Sequence, residues 1–247
     1  VSIKRALVAT GNRLLRPTGL QVTRVRAPMD ERQAAQHTSA QAIIARHDRQ
    51  DEDDVRSLTE KYQAPLLGEV DTWELLLMLG RCVDPTDQRL GAASQLVHVL
   101  QVLDMMLADG ITDDDLLLVA LFHDLGKVLL LSDEDPANVV CLNHHVSGEP
   151  GGGLDQLVTN WNHDEFAFQR LVDVLPPQFA QLVRFHSILP DELAPYLSPA
   201  DQEFAQQLHT PFARYDHESK SSFLRPMVKI DDFRDLVRRR MPARLEI

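Results

Sequence analysis

Six side chains in this sequence are of types that hold first-row metal ions: His98, His123, Asp124, His163, His186 and Asp216. Imidazole and carboxylate together suit iron, manganese or zinc, and neither cysteine, Cys82 or Cys141, is placed to add a thiolate. His123 and Asp124 close the most apolar stretch of the chain, Leu116 to Phe122. A carboxylate there is strongly disfavoured by desolvation unless a cation or a hydrogen-bond network compensates it. The bland reading of one His-Asp pair is a satisfied structural pair. The four further candidates, spread over other amphipathic segments, favour a shared metal centre. An aspartate has two oxygens and can bridge two cations, so this set suffices for a dinuclear site built from inward-facing helices.

The elements that must position these residues read as helices. Gln33 to Arg46 forms a short one, and Asp51 to Asp54 suit the first turn of the next, where carboxylates meet the positive end of the helix dipole. Helices are also expected over Asp71 to Arg81 and, after a loop at Asp84 to Asp87, over Ala92 to Ala108, with Gly110 as its stop. Thr112 and Asp115 have capping-box spacing ahead of the apolar run that ends in His123-Asp124, which places that pair inside a central helix. Ser132 to Gly153, with Pro136, Pro150 and three glycines in a row, reads as a long loop. Further helical patterns cover Leu154 to Leu175, Pro177 to Ile188, Pro199 to Tyr215 and Ile230 to Arg240. No strand alternation persists, so the expected fold is all-α: an arm with a short helix over residues 1–50, then one helical bundle over 51–247.

A net charge of −12 opposes a nucleic-acid partner. No apolar run reaches the roughly 18 to 20 residues of a membrane span. Few cysteines fit a reducing, cytoplasmic setting. The exception to the acidic trend is Val1 to Arg26, which carries basic residues and no acidic one.

The segment Leu121-Phe122-His123-Asp124-Leu125-Gly126-Lys127 carries the motif of HD-domain proteins. Trp161-Asn162-His163-Asp164-Glu165-Phe166, Arg184-Phe185-His186-Ser187 and Tyr215-Asp216-His217-Glu218-Ser219-Lys220 resemble, in order, three motifs of the myo-inositol oxygenase family, and weaker similarity runs from about Asp53 to the C-terminus. The resemblance implies an HD-domain bundle with a mixed-valent Fe(II)/Fe(III) pair: His98, His123, Asp124 and Asp216 on one iron, His163 and His186 on the other, and Asp124 bridging. It implies cleavage of a C–C bond in a small polyol or related hydroxylated molecule by dioxygen, with Lys127, Ser187 and Asp84 contacting substrate and Lys127 stabilising developing charge. The chain departs from the family where Val139-Val140 are followed by Cys141-Leu142 instead of a Gly-Asp pair, which puts the substrate in question; Asn143, His144 or His145 offer compensation. An HD-type metal-dependent phosphohydrolase, needing only His98, His123, Asp124 and Asp216, is the alternative activity. A metal-holding sensor without turnover is the non-enzymatic one. His37, His47, His209 and His217 are expected at the surface or behind the ligands, and Asp164 and Glu165 are expected to orient histidines.

Overall fold

The computed structural model describes residues 31–140 and 146–247, the side chains of 31–37 and 146 excepted. Residues 37–247 form a compact unit to which the candidate site residues all belong. The fold is all-α. No described helix is long and apolar enough to cross a membrane. The basic segment Val1 to Arg26 lies outside the described residues, as do Cys141, Leu142, Asn143, His144 and His145.

Helix α1 (Glu31–His47) is followed by α2 (Glu52–Lys61), which opens as its sequence requires: Asp51 caps the backbone N–H groups of Asp53 and Asp54, and Asp54 returns a bond to Asp51 N. A short strand, β1 (Glu69–Asp71), leads into α3 (Thr72–Met78) and a 3-10 turn, Leu79–Arg81. The ligand-bearing α4 (Gln95–Ala108) begins after Ser94 and ends at Gly110, whose φ of 79° is the left-handed conformation glycine tolerates. Gly110 N reaches Leu107 O and Ile111 N reaches Met106 O, a Schellman closure. In α5 (Asp114–Phe122) the cap is Asp113, which binds Leu116 N, and not Thr112; the acidic side chain immediately before the helix is the one that reaches that N–H.

At His123 the α-helix ends. The chain tightens into a 3-10 stretch, Leu125–Leu131, with Lys127 N on Asp124 O at 2.9 Å. His123-Asp124 therefore sits at a helix break and not within a continuous helix, so successive side chains can turn toward one centre. The expected helix from Leu154 is likewise shorter. A 3-10 turn (Leu154–Gln156) and β3 (Val158–Thr159), paired with β2 (Val146–Ser147), precede α6 (His163–Leu171). The backbone here has other partners: Trp161 N donates to Gln50 Oε1, His163 N to Val139 O, and Asn162 caps α6 through Asp164 N.

Helices α7 (Pro177–Phe185), α8 (Pro190–Leu193), α9 (Gln202–Phe204) and α10 (Thr210–Ser219) complete the bundle, with a π segment, Ala205–His209, joining α9 to α10 just before Pro211, which has no N–H to continue an α-helical ladder. The C-terminal α11 (Arg234–Arg240) follows a 3-10 turn, and β4 (Arg244–Glu246) pairs antiparallel with β1, Val70 opposite Leu245. The main core is a large apolar cluster in which α4 packs on α5 and α10, and α6 on α7, with a small separate cluster of Ile43, Ala137 and Val140 beside α1.

Glu134 ties α2 to the 3-10 end of this core, accepting from Lys61 Nζ at 2.5 Å, from the Tyr62 hydroxyl, and from Asn138 Nδ2 at 2.8 Å. Burial works against its charge, but these donors outweigh it and hold its carboxyl below the usual range. Glu134→Leu is expected to destabilise the fold by about 1–3 kcal/mol, because Tyr62 keeps a half-buried hydroxyl without its acceptor. Since the folded pKa is the lower one, the part of that contribution carried by the Glu134 charge is present in full above the ordinary value of 4.5 and is lost as the pH falls below it through the depressed folded value. Urea unfolding of both proteins at pH 7 and pH 3.5 checks this, with the difference shrinking in acid.

Candidate metal centre

Each candidate ligand is brought to one buried locus by a distinct part of the bundle. His98 comes from the first turns of α4, His123 and Asp124 from the break after α5, and His163 from the first residue of α6. His186 comes from the residue closing α7, and Asp216 from within α10. All six are essentially sealed from water.

The two oxygens of Asp124 face different histidine pairs. Oδ2 lies 3.7 Å from His98 Nε2 and 3.6 Å from His123 Nε2; Oδ1 lies 3.0 Å from His163 Nε2 and 3.7 Å from His186 Nε2. Asp216 Oδ1 joins the first group, 2.7 Å from His98 Nε2 and 3.6 Å from His123 Nε2. Within each trio, His98-His123-Asp124 and Asp124-His163-His186, the donor atoms lie within 4.8 Å of one another. Two ion-sized groups of donors thus share a single carboxylate.

Backbone carbonyls set the ring orientations. His123 Nδ1 meets Ala120 O at 2.9 Å, His163 Nδ1 meets Val139 O at 2.7 Å, and His186 Nδ1 meets Val183 O at 2.7 Å. A carbonyl oxygen only accepts, so each Nδ1 carries a proton and each ring turns Nε2 inward, the nitrogen that would meet a cation.

Around the locus Asp84, Asp87, Asp124 and Asp216 face two lysines. Lys127 is buried, 2.8 Å from Asp84 Oδ2 and 3.7 Å from Asp124 Oδ1; Lys220 is 3.5 Å from Asp216 Oδ1 and 3.7 Å from Asp87 Oδ2. Burial alone would neutralise these groups, yet their mutual attraction outweighs it. Asp124 and Asp216 are held well below the carboxylate range, Lys127 well above the ammonium range, and Asp84 at about 2. The surplus of negative charge also draws protons onto imidazole: burial lowers His186, but Asp164 and Asp124 push it up to about 9. Asp124 Oδ2 and Asp216 Oδ2, both buried, have no hydrogen-bond partner among the described residues. Excess carboxylate, inward-turned ring nitrogens and orphaned oxygens together suit metal cations, and histidine with carboxylate oxygen fits iron, manganese or zinc.

Of the other expected site residues, Lys127 and Asp84 form a buried ion pair beside Asp124, with Asp84 Oδ1 also accepting from Thr86 N and Oγ1 at 2.8 and 2.6 Å. Ser187 donates to Asp164 Oδ2. Asp164 Oδ1 is 2.9 Å from His163 Nε2 and 3.7 Å from His186 Nε2, so it meets their inward nitrogens and not the outward ones that an orienting carboxylate would hold. Glu165 instead accepts from Arg184 Nε at 2.7 Å.

His47 and His209 are buried. His47 Nδ1 meets Ala137 O at 2.8 Å, and His209 Nε2 meets Phe185 O at 3.0 Å, directly before His186. The side chain of His37 lies outside those described, and His217 is half-buried with Nε2 3.9 Å from Asp216 Oδ2. Sequence reasoning misses Lys220 and Asp87; the Lys220 spacing, four residues after Asp216 on a helix, is the signal that could have found the lysine.

Two comparisons with known proteins bear on these residues. The family described as Myo-inositol oxygenase matches residues 36–148. Inositol oxygenase 2 of Arabidopsis thaliana is 27% identical over 241 residues, 81% of this chain and 75% of its own length. A probable inositol oxygenase of Oryza sativa subsp. japonica is 26% identical over 239 residues, 81% of this chain and 77% of its own.

Gly126 has a steric role in this geometry. A Cβ built on it would lie 2.1 Å from His163 O, a backbone atom that cannot swing aside. Gly126→Ala is therefore expected to cost about 1–3 kcal/mol or more of stability by overpacking and to displace His163. The check is thermal unfolding together with metal stoichiometry after loading, the variant expected to retain less metal per chain than the unsubstituted protein at equal folded fraction.

Proposed function

The chain is myo-inositol oxygenase-like, and on that premise we propose that it is a diiron oxygenase that uses dioxygen to cleave a C–C bond of inositol or a closely related polyol. One observation carries the reading beyond the resemblance: the two oxygens of Asp124 are divided between the His98-His123 pair and the His163-His186 pair, which is what a carboxylate bridging two ions needs. His98, His123, Asp124 and Asp216 would hold one iron, and His163 and His186 the other, with Asp164 close to both of the latter. Bound as a mixed-valent pair, iron supplies Lewis acidity toward an alcohol oxygen and electrons to dioxygen.

The protein's own groups account for the rest. Lys127, fixed between Asp84 and Asp124, presents a permanent positive charge that favours ionisation of a substrate hydroxyl placed beside it. Asp84, ionised at neutral pH, accepts hydrogen bonds from hydroxyl groups and orients a polyol. Ser187, which donates to Asp164 beside the His163-His186 pair, would offer its oxygen as an acceptor to a substrate hydroxyl. Burial of these groups excludes bulk water and strengthens each interaction.

Anaerobic reconstitution with iron, followed by oxygen-uptake assays over inositol, other polyols and hydroxylated phosphonates, tests the proposal. The expected result is two irons per chain, an electron paramagnetic resonance signal that shifts on adding inositol, and oxygen uptake dependent on it. Phosphate release from phosphoesters under strict anaerobiosis with manganese, without oxygen uptake on any polyol, would identify a phosphohydrolase instead. Asp124→Ala is expected to abolish loading of both ions. Lys127→Ala is expected to keep iron but weaken inositol binding by about tenfold or more, the cost of a lost charged hydrogen bond. Retention of two irons without Asp124 would remove its bridging role.

A further inference from the structure

Three of the four histidines at the centre have Nδ1 on a backbone carbonyl; His98 does not. Its Nδ1 is buried and has no partner among the described residues. On the inward side its Nε2 is 2.7 Å from Asp216 Oδ1. For Nε2 to offer a lone pair, the ring proton must sit on Nδ1, and a buried N–H left bare there is costly. Without an acceptor the proton stays on Nε2, directed at Asp216.

One helical turn before His98 on the same face of α4 stands Gln95, fully buried, with both its amide nitrogen and its amide oxygen also lacking partners among the described residues. Side chains on a helix lean toward its N-terminus, so the His98 ring overlies the turn that Gln95 begins. Buried amide atoms are rarely left bare, and a buried water needs two to four polar partners. Gln95 and His98 between them supply three.

We infer that Gln95 positions His98 through a buried water, which accepts the Nδ1 proton and is itself held by the Gln95 amide. The bridge completes for His98 what backbone carbonyls do for the other three rings, and it frees Nε2 from donating to Asp216. The inference rests on the metal-centre reading in its consequence, but the water site itself does not depend on it.

Two measurements test it. A high-resolution crystal structure of the unsubstituted protein is expected to show a water within hydrogen-bond distance of both His98 Nδ1 and the Gln95 amide; no water there, or one touching Gln95 but not His98, would overturn the inference whether or not iron is bound. Anaerobic ferrous titration of metal-free protein, with circular dichroism as the folding control, gives the second readout. Gln95→Met removes the polar amide at nearly constant volume and is expected to weaken one of the two iron sites by about 10- to 100-fold, leaving the other as it was. Gln95→Glu keeps an acceptor for the water and is expected to retain both. Equal weakening of both sites in the methionine variant, no weakening of either, or a glutamate variant no better than methionine would each contradict the assignment. A protein that binds no iron but shows the water would defeat the functional proposal and leave the positioning of His98 standing.

Discussion

An ionised carboxylate with almost no access to water has to be balanced by charge, and in this chain that carboxylate is Asp124. It stands where the most apolar helix of the bundle gives way to a 3-10 turn, four imidazole nitrogens face it within 3.7 Å, and Lys127 approaches at the same distance. Removing it would leave the histidines and the lysine as like charges or lone pairs crowded without a common acceptor. The surrounding elements can be understood as devices for delivering partners to its two oxygens.

Those devices are mostly backbone. Carbonyls at Ala120, Val139 and Val183 fix three rings, so the scaffold itself puts a proton on Nδ1 and turns Nε2 inward. The absence of a side chain at Gly126 lets the 3-10 turn pass the backbone of His163 at a distance no other residue permits. Farther out, Gln50 grips both Trp161 N and Trp161 O, and Asn160 donates to His47 O, so the segment entering α6 is anchored just ahead of the turn that presents His163. Rigidity at the centre is obtained by satisfying polar groups one layer away from it.

Much of this is legible in the residues. His123-Asp124 at the end of an apolar run, the Trp161 to Phe166 segment and the His186 and Asp216 positions lead directly to the cluster that the structure brings together. The all-α architecture follows from helical periodicity without strand alternation, and the boundaries near Asp51 and Gly110 follow from an acidic first turn and a glycine stop. Boundaries set by long-range bonds do not. The start of α6 depends on Gln50 and Val139, far away in sequence, and the π segment before Pro211 leaves no periodic signature of its own. His47 and His209 sit in polar-looking stretches yet are buried, because each closes on a distant carbonyl, which one-dimensional patterning does not register. Asp164 reads as an orienting residue because it follows a ligand candidate; only the three-dimensional arrangement shows it reaching the inward side of two rings.

The chemistry comes from combining a site rich in carboxylates and imidazoles with two lysines that keep positive charge next to it. On the proposed reading, metal cations would balance the first feature, and a hydroxyl-bearing substrate that must lose a proton would exploit the second. The most direct test is the anomalous diffraction of crystals loaded with iron under anaerobic conditions, recorded at the iron absorption edge. Two peaks flanking the carboxylate of Asp124, one beside His98 and His123 and the other beside His163 and His186, are the expected result. A single peak, or iron bound anywhere that leaves one oxygen of Asp124 uninvolved, would contradict the account at its root.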